Sequence, residues 1–285
     1  MVLYYQESYP NFIVMKKQSE PDPIYISPFI EFNNITIARK EKPILKNLSL
    51  SIADGQNVAI LGPNGSGKSS LIKVITREFY PVFEDNKSVC KIWGRDHWNV
   101  FDLRKKFGIV SSDLQFAFSQ DIIGRNVLLS GFFSSVGLFN HKITDDMMLR
   151  TKEIASFLEI EHLMDRSMIS LSSGEARRLL IGRALIHKPK YIILDEPTSS
   201  LDLSALHILR KYLRNIANVR VGIILVTHQI HDIIPEITRV IMMRNGQIFA
   251  DGKKQDILTD ECMSTLFSVH VHINKEGEYY YATGY

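Results

Sequence analysis

Residues 58–76 leave this chain few ways to fold. Val58-Ala59-Ile60-Leu61 is an unbroken apolar run of strand length, the mark of a strand buried on both faces. It runs straight into Gly62-Pro63-Asn64-Gly65-Ser66-Gly67-Lys68-Ser69, and Ser69 to Thr76 reads as a helix. The pattern G-x-x-x-x-G-K-S between a strand and a helix is a phosphate cradle. Its glycines let the main chain wrap closely and aim successive N–H groups at phosphate oxygens. The following helix adds its positive N-terminal end. Lys68 is placed for the β- and γ-phosphates, the Ser69 hydroxyl for magnesium, and Ser70 belongs to the same phosphate-binding set.

The rest of the pattern extends that unit. Tyr191 to Leu194 and Val219 to Val226 are further buried strands. Asp145 to Leu158, Ala176 to His187 (closed by Pro189) and Ser204 to Ala217 read as helices. Buried strands alternating with helices predict an α/β fold with a mostly parallel sheet covered on both faces. Phe29 to Ile37 and Ile44 to Ile52 carry apolar residues at every second place, as strands do. Asp54-Gly55 is a turn signal, and Asn245-Gly246 sits at the tip of an expected hairpin over Val240 to Ala250. The segment from about Phe101 to Leu171 reads as mostly helical.

Composition removes other classes. Of 285 residues, 45% are apolar and 23% charged, which suits a globular chain and excludes a collagen or a disordered tail protein. Lys and Arg number 34 against 31 Asp and Glu, for a net charge of +3. No dense basic block occurs, so no nucleic-acid partner is expected. Cys90 and Cys262 are the two cysteines; their separation fits reduced thiols rather than a disulfide framework. No apolar run approaches the roughly 18 residues of a membrane-spanning helix, and Met1 to Tyr9 lacks the basic start and apolar core of a signal peptide. Any work at a membrane would therefore go through a partner chain. Residues 1–28, rich in Tyr, Pro and Ser, read as an N-terminal extension, because Pro21, Pro23 and Pro28 oppose a regular helix.

A second chemical signal is Tyr191-Ile192-Ile193-Leu194-Asp195-Glu196. Four apolar residues end in two carboxylates at the carboxyl end of a buried strand, where ligands of such sheets bind. Asp195 is placed to hold magnesium, and Glu196 to polarise an attacking water.

With these motifs in place, the chain resembles a nucleotide-binding domain of the ATP-binding-cassette (ABC) superfamily. The further mark is Leu171-Ser172-Ser173-Gly174-Glu175, similar to the family's L-S-G-G-Q signature and lying 24 residues before Asp195 (195 − 171). The resemblance implies that Ser172, Ser173, Gly174 and Glu175 cap the γ-phosphate held by a second subunit. Ser173 and Glu175 depart from the family's Gly and Gln, and Glu175 brings a negative charge toward the phosphates. Ser200-Leu201-Asp202 resembles the loop that links two sites across a dimer. His228 matches the switch histidine that contacts the γ-phosphate and orients Glu196. The family's magnesium-sensing glutamine is assigned to Gln115, although simple offset from Phe107-Gly108-Ile109-Val110 falls on Ser112. Arg39 or Lys40 stands where the family usually has an aromatic residue against adenine.

The resemblance spans about residues 29–252, with a helical subdomain over about 101–175 and a C-terminal extension over 253–285. It implies a mostly parallel core, an antiparallel β subdomain and a helical subdomain carrying the signature. It also implies ATP and Mg2+ as ligands and hydrolysis of ATP to ADP and phosphate, with Lys68, Glu196 and His228 as the catalytic residues. The run Ser111 to Gln115, with Val127 to Gly131, is similar to a branch linked to molybdenum or iron uptake or standing alone. The first functional reading is the ATPase subunit of a transporter, a homodimer or a pair with a second ABC ATPase. It would be cytoplasmic, on an integral-membrane permease at the inner face of the membrane. A stand-alone cytosolic ATPase and a low-turnover nucleotide-binding regulator are the alternatives. The apolar stretch Val127 to Phe139 is either core or a docking face for the membrane partner.

Overall fold

The computed structural model describes residues 28–40, 42–82 and 88–284. The expected N-terminal extension, Tyr4-Tyr5 included, lies outside the described residues except for Pro28. The chain runs β1 (Ile30–Arg39), β2 (Lys42–Ile52), β3 (Val58–Leu61), α1 (Lys68–Ile75), β4 (Val89–Ile92), α2 (Val100–Lys106), β5 (Phe107–Val110), α3 (Ser112–Ala117) and α4 (Gly124–Ser130). It continues through α5 (Asp145–Phe157), α6 (Ser173–Leu185), β6 (Tyr191–Asp195), α7 (Leu203–Asn218), β7 (Gly222–Thr227), β8 (Arg239–Arg244) and β9 (Gln247–Lys253). It closes with α8 (Lys254–Ile257), α9 (Asp260–Phe267), β10 (His272–Glu276) and β11 (Tyr279–Thr283).

Six strands form the central sheet in the order β5-β6-β7-β3-β8-β9. The first five are mutually parallel and β9 runs antiparallel to β8. Successive side chains of these strands enter opposite cores, as the two-residue repeat of a strand requires. Val58, Ile60, Ile193, Ile224, Val226 and Ile241 face one core, shared with α1 and the three-stranded antiparallel sheet β2-β1-β4. Ala59, Leu61, Ile192, Leu194, Leu225 and Met242 face the other, shared with α4 to α7. Every one of these residues is buried. The unbroken apolar runs of the sequence thus serve two cores at once.

The expected α/β architecture, with its parallel core and antiparallel subdomain, is observed. One local reading is corrected. Phe107-Gly108-Ile109-Val110 lies inside the segment read as mostly helical, yet it pairs in parallel with β6 as the edge strand of the central sheet. Gly108 lets α6 pack close against this strand, because a Cβ there would meet the Ala184 carbonyl carbon at 3.0 Å. The stretch Val127 to Phe139 divides: Val127, Leu128 and Leu129 are core, and Phe139 is 77% exposed. The C-terminal tyrosines form β11, paired with β10 and packed on the short turn Ile230–Asp232 that follows His228.

Candidate active site

The glycine loop joins β3 to α1 and is held from outside. The Gly246 N–H donates to the Ser66 carbonyl at 3.0 Å, and the Lys46 N–H donates to the Gly246 carbonyl at 2.9 Å. The β8–β9 hairpin tip therefore pins the loop to β2. Gly65 and Gly67 have φ of 77° and 103°, in the left-handed region that glycine enters freely. At Gly62 a Cβ would strike the Met243 carbonyl, and at Gly67 it would lie 2.8 Å from Leu45 Cδ2. Pro63, Asn64 and Gly65 form the more open rim of the loop, whereas Ser66 is 3% exposed and its Oγ has no hydrogen-bond partner.

Lys68 begins α1 behind this loop and is 5% exposed. Its Nζ donates to the carbonyls of Gly62 at 2.8 Å and Pro63 at 3.0 Å. Burial lowers the Lys68 pKa, partly opposed by the nearby carboxylates of Glu196 and Asp195. A desolvated ammonium resting on carbonyls gains from an arriving phosphate. Ser69 hydrogen-bonds the Asp195 carboxylate from one helical position later; Asp195 itself is pushed up by burial, against that bond.

Glu196 stands just past β6 with φ of 49°, a strained setting for a non-glycine residue and one that clusters at functional sites. Its N–H donates to the Val226 carbonyl at 2.8 Å, which locks the turn against β7. Glu196 Oε1 lies 3.1 Å from His228 Nδ1, and Oε2 accepts from Ser199 Oγ at 3.4 Å. Gln229 Nε2 lies 3.4 Å from His228 Nε2. One tautomer satisfies both contacts: a proton on Nδ1 toward the carboxylate, and a lone pair on Nε2 toward the amide. Ser69, Asp195 and Glu196 line a cavity of about 710 Å3, together with Ser112 and Asp113.

The remaining expected residues take distinct places. Ser172 caps α6, with Ser173 and Gly174 in the first turn. The Glu175 N–H donates to Ser172 Oγ at 3.2 Å, and the Ser172 N–H donates to Glu175 Oε2 at 2.8 Å, a reciprocal capping box. Gly174 packs on α7, where a Cβ would lie 2.8 Å from that of Ala205. Asp202 caps α7 by accepting from the Ala205 N–H at 2.7 Å. Gln115 lies on α3 with its Oε1 buried and unpartnered; it does not line the cavity, whereas Ser112 does. Arg39 borders a separate hollow of about 280 Å3 beside Phe79 and Tyr80, and Tyr80 is 60% exposed. An aromatic ring thus stands near the Arg39 position, supplied by the segment after α1.

Comparison with known proteins identifies the family and the fold. Residues 45–199 match the family model "ABC transporter". The chain is 31% identical over 254 residues to the uncharacterized ABC transporter ATP-binding protein YmeB of Lactococcus lactis, covering 88% of this chain and 97% of that one. It is 33% identical to the hemin import ATP-binding protein HmuV of Aliivibrio fischeri, covering 84% and 90%. The chain belongs to the ABC transporter ATP-binding family. Its fold superposes on the ADP conformation of MJ1267, an ATP-binding cassette, with a TM-score of 0.71 at 24% identity, covering 84% and 98%. The dimeric cassette MJ0796 matches with a TM-score of 0.63 at 25% identity, covering 79% and 98%. The protein is therefore the ATP-binding, ATP-hydrolysing subunit of an ABC transporter.

The residues present fit the ligands of an ABC ATPase. The cradle is closed to a side chain at Gly62 and Gly67, Ser66 Oγ waits without a partner, and a buried lysine ends on main-chain carbonyls. Ser69 and Asp195 offer a hydroxyl and a carboxylate side by side, the hard oxygen donors that magnesium accepts alongside phosphate. Sequence reasoning missed Ser199, Gln229 and Arg166, which contact Glu196, His228 and Glu175. The first two lie within three residues of their partners; Arg166 bonds across a turn and carries no periodic signal. No helix among the described residues is long and apolar enough to cross a membrane.

Proposed function

We propose that two copies of this ABC subunit close head-to-tail on two Mg-ATP, each site combining the phosphate loop of one copy with the signature of the other. One observation carries this reading. The phosphate loop, Asp195, Glu196 and His228 converge on one chain, whereas Ser172 and Ser173 are exposed and the signature's side-chain hydrogen bonds go to its own cap and to Arg166. The helix end at Ser172 is an anion site facing outward, so its phosphate comes from a second copy.

Lys68 leaves its carbonyls for the β- and γ-phosphate oxygens and offsets the charge that spreads over them as the bond to the leaving phosphate breaks. The main-chain N–H groups from Gly62 to Ser70 hold those oxygens in place. Ser69 and Asp195, with Gln115 brought in as the chains close, would hold Mg2+. When bound, Mg2+ would neutralise phosphate charge. Glu196 orients water and draws on its proton, and His228 fixes that carboxylate through Nδ1. Asp202 couples one site to the other across the dimer.

The subunit works at the inner face of the membrane on a permease carried by a separate chain. Retention of an integral-membrane chain in stoichiometric amount, after detergent solubilisation, supports that role. Full phosphate release with no such chain retained supports a stand-alone ATPase. The role of Glu196 has its own test: Glu196→Gln should lower phosphate release by about a hundredfold or more while ATP still binds. An unchanged rate would remove Glu196 from the chemistry.

A further inference from the structure

The signature of this chain carries a charge of the wrong sign for its task. Glu175 replaces the neutral residue of the family pattern in the first turn of the helix whose end must receive a phosphate. Its carboxylate is bound on both oxygens. Oε2 accepts from the Ser172 N–H at 2.8 Å, and Oε1 accepts from Arg166 Nη1 at 2.9 Å. Arg166 also donates through Nη2 to the Ser170 carbonyl at 2.9 Å, and its own carbonyl accepts from the Gly124 N–H at 2.9 Å. The guanidinium thus spans the motif from Ser170, just before it, to Glu175, its last residue.

We infer that Arg166 is the built-in counter-charge of the signature: it lets Glu175 cap the helix while the partner's γ-phosphate meets a neutral pair. The inference rests on the two-copy reading above. Arg166 acts through Glu175 and is a positioning residue.

Three observations support it. A capping carboxylate is favoured at a helix N-terminus, so Glu175 gains locally what it would cost the phosphate. Burial works against ionising Glu175, but the bonds from Ser172 and Arg166 outweigh it and hold its pKa below the usual carboxylate value; the negative charge is therefore present at working pH and has to be answered. Side-chain exposures of 43% for Arg166 and 21% for Glu175 put the pair at the surface that the second copy would cover. There, removal of water strengthens any charge left unpaired.

The test is a charge-rescue cycle read by ATP-driven dimerisation in a Glu196→Gln background and by phosphate release in the parent. Arg166→Ala should weaken both by about five- to tenfold, the effect of one unscreened charge near an anion. Adding Glu175→Gln to Arg166→Ala should restore both to within about twofold, because glutamine keeps an acceptor for the Ser172 N–H and carries no charge. The Arg166→Ala defect should also shrink between about 0.05 and 0.5 M salt, as screening tightens. If Arg166 only staples the turn at Ser170, the defect survives Glu175→Gln and ignores salt, and the inference falls. An Arg166→Ala protein that dimerises and turns over like the parent overturns it as well. A parent that binds Mg-ATP and stays monomeric overturns the two-copy reading and this inference together.

Discussion

Asp232 shows how one buried carboxylate can hold together the strand ends that carry Glu196 and His228. It is 1% exposed, and its Oδ2 accepts from Thr227 Oγ1 at 2.5 Å and Thr198 Oγ1 at 2.7 Å. Thr198 follows Glu196 by two positions and Thr227 directly precedes His228, so one carboxylate ties together the ends of β6 and β7. Burial pushes the Asp232 pKa up, against the threonine hydroxyls and the nearby His231 and Arg210. Folding therefore disfavours the ionised form. Below the ordinary carboxylate range the group is protonated in both states and adds no pH dependence. Stability falls as pH rises from that range to the raised value, then stays down. Asp232→Asn keeps an acceptor for the two hydroxyls and cannot ionise. Its melting temperature relative to the parent should rise with pH above the ordinary carboxylate range, then level off once the raised pKa of Asp232 is passed. A flat difference would contradict the buried-charge account. Asp232→Ala should cost about 1–3 kcal/mol for each hydroxyl left without a partner.

The β8–β9 hairpin tip shows which of two glycine effects dominates. Gly55 and Gly246 both have φ of 78°. A Cβ on Gly55 would meet nothing within 4 Å, whereas one on Gly246 would strike the Ile44 carbonyl. Gly55→Ala should therefore cost only the left-handed penalty of about 1–2 kcal/mol. Gly246→Ala should lose more stability, and ATP affinity with it, since the same tip anchors Ser66. Equal losses in thermal melting and ATP titration would show that the tip does not support the loop. This hairpin was legible from Asn245-Gly246, as β3, β6 and β7 were from their apolar runs. β5 was not, because a four-residue apolar run looks the same in a strand and in a buried helix. β10 was hidden for another reason: four of its five residues are exposed, so no apolar alternation marks it. At the site, Lys68, Asp195, Glu196 and His228 were readable because each follows a strong motif or a strand. The pairing of Glu175 with Arg166 was not, since it depends on how the turn between them folds.

At the scale of the whole molecule, two cores clasp one sheet, and the glycine loop, Asp195, Glu196 and His228 gather at the carboxyl ends of β3, β6 and β7. The helical layer carries the signature on its own surface, capped and charge-paired, and in the proposed pair one copy would present half of each of two sites. The most direct measurement is the mass of the Glu196→Gln protein by sedimentation with saturating Mg-ATP and with ADP. A dimer with ATP and a monomer with ADP is the predicted result. A monomer that binds ATP yet never pairs would contradict the account.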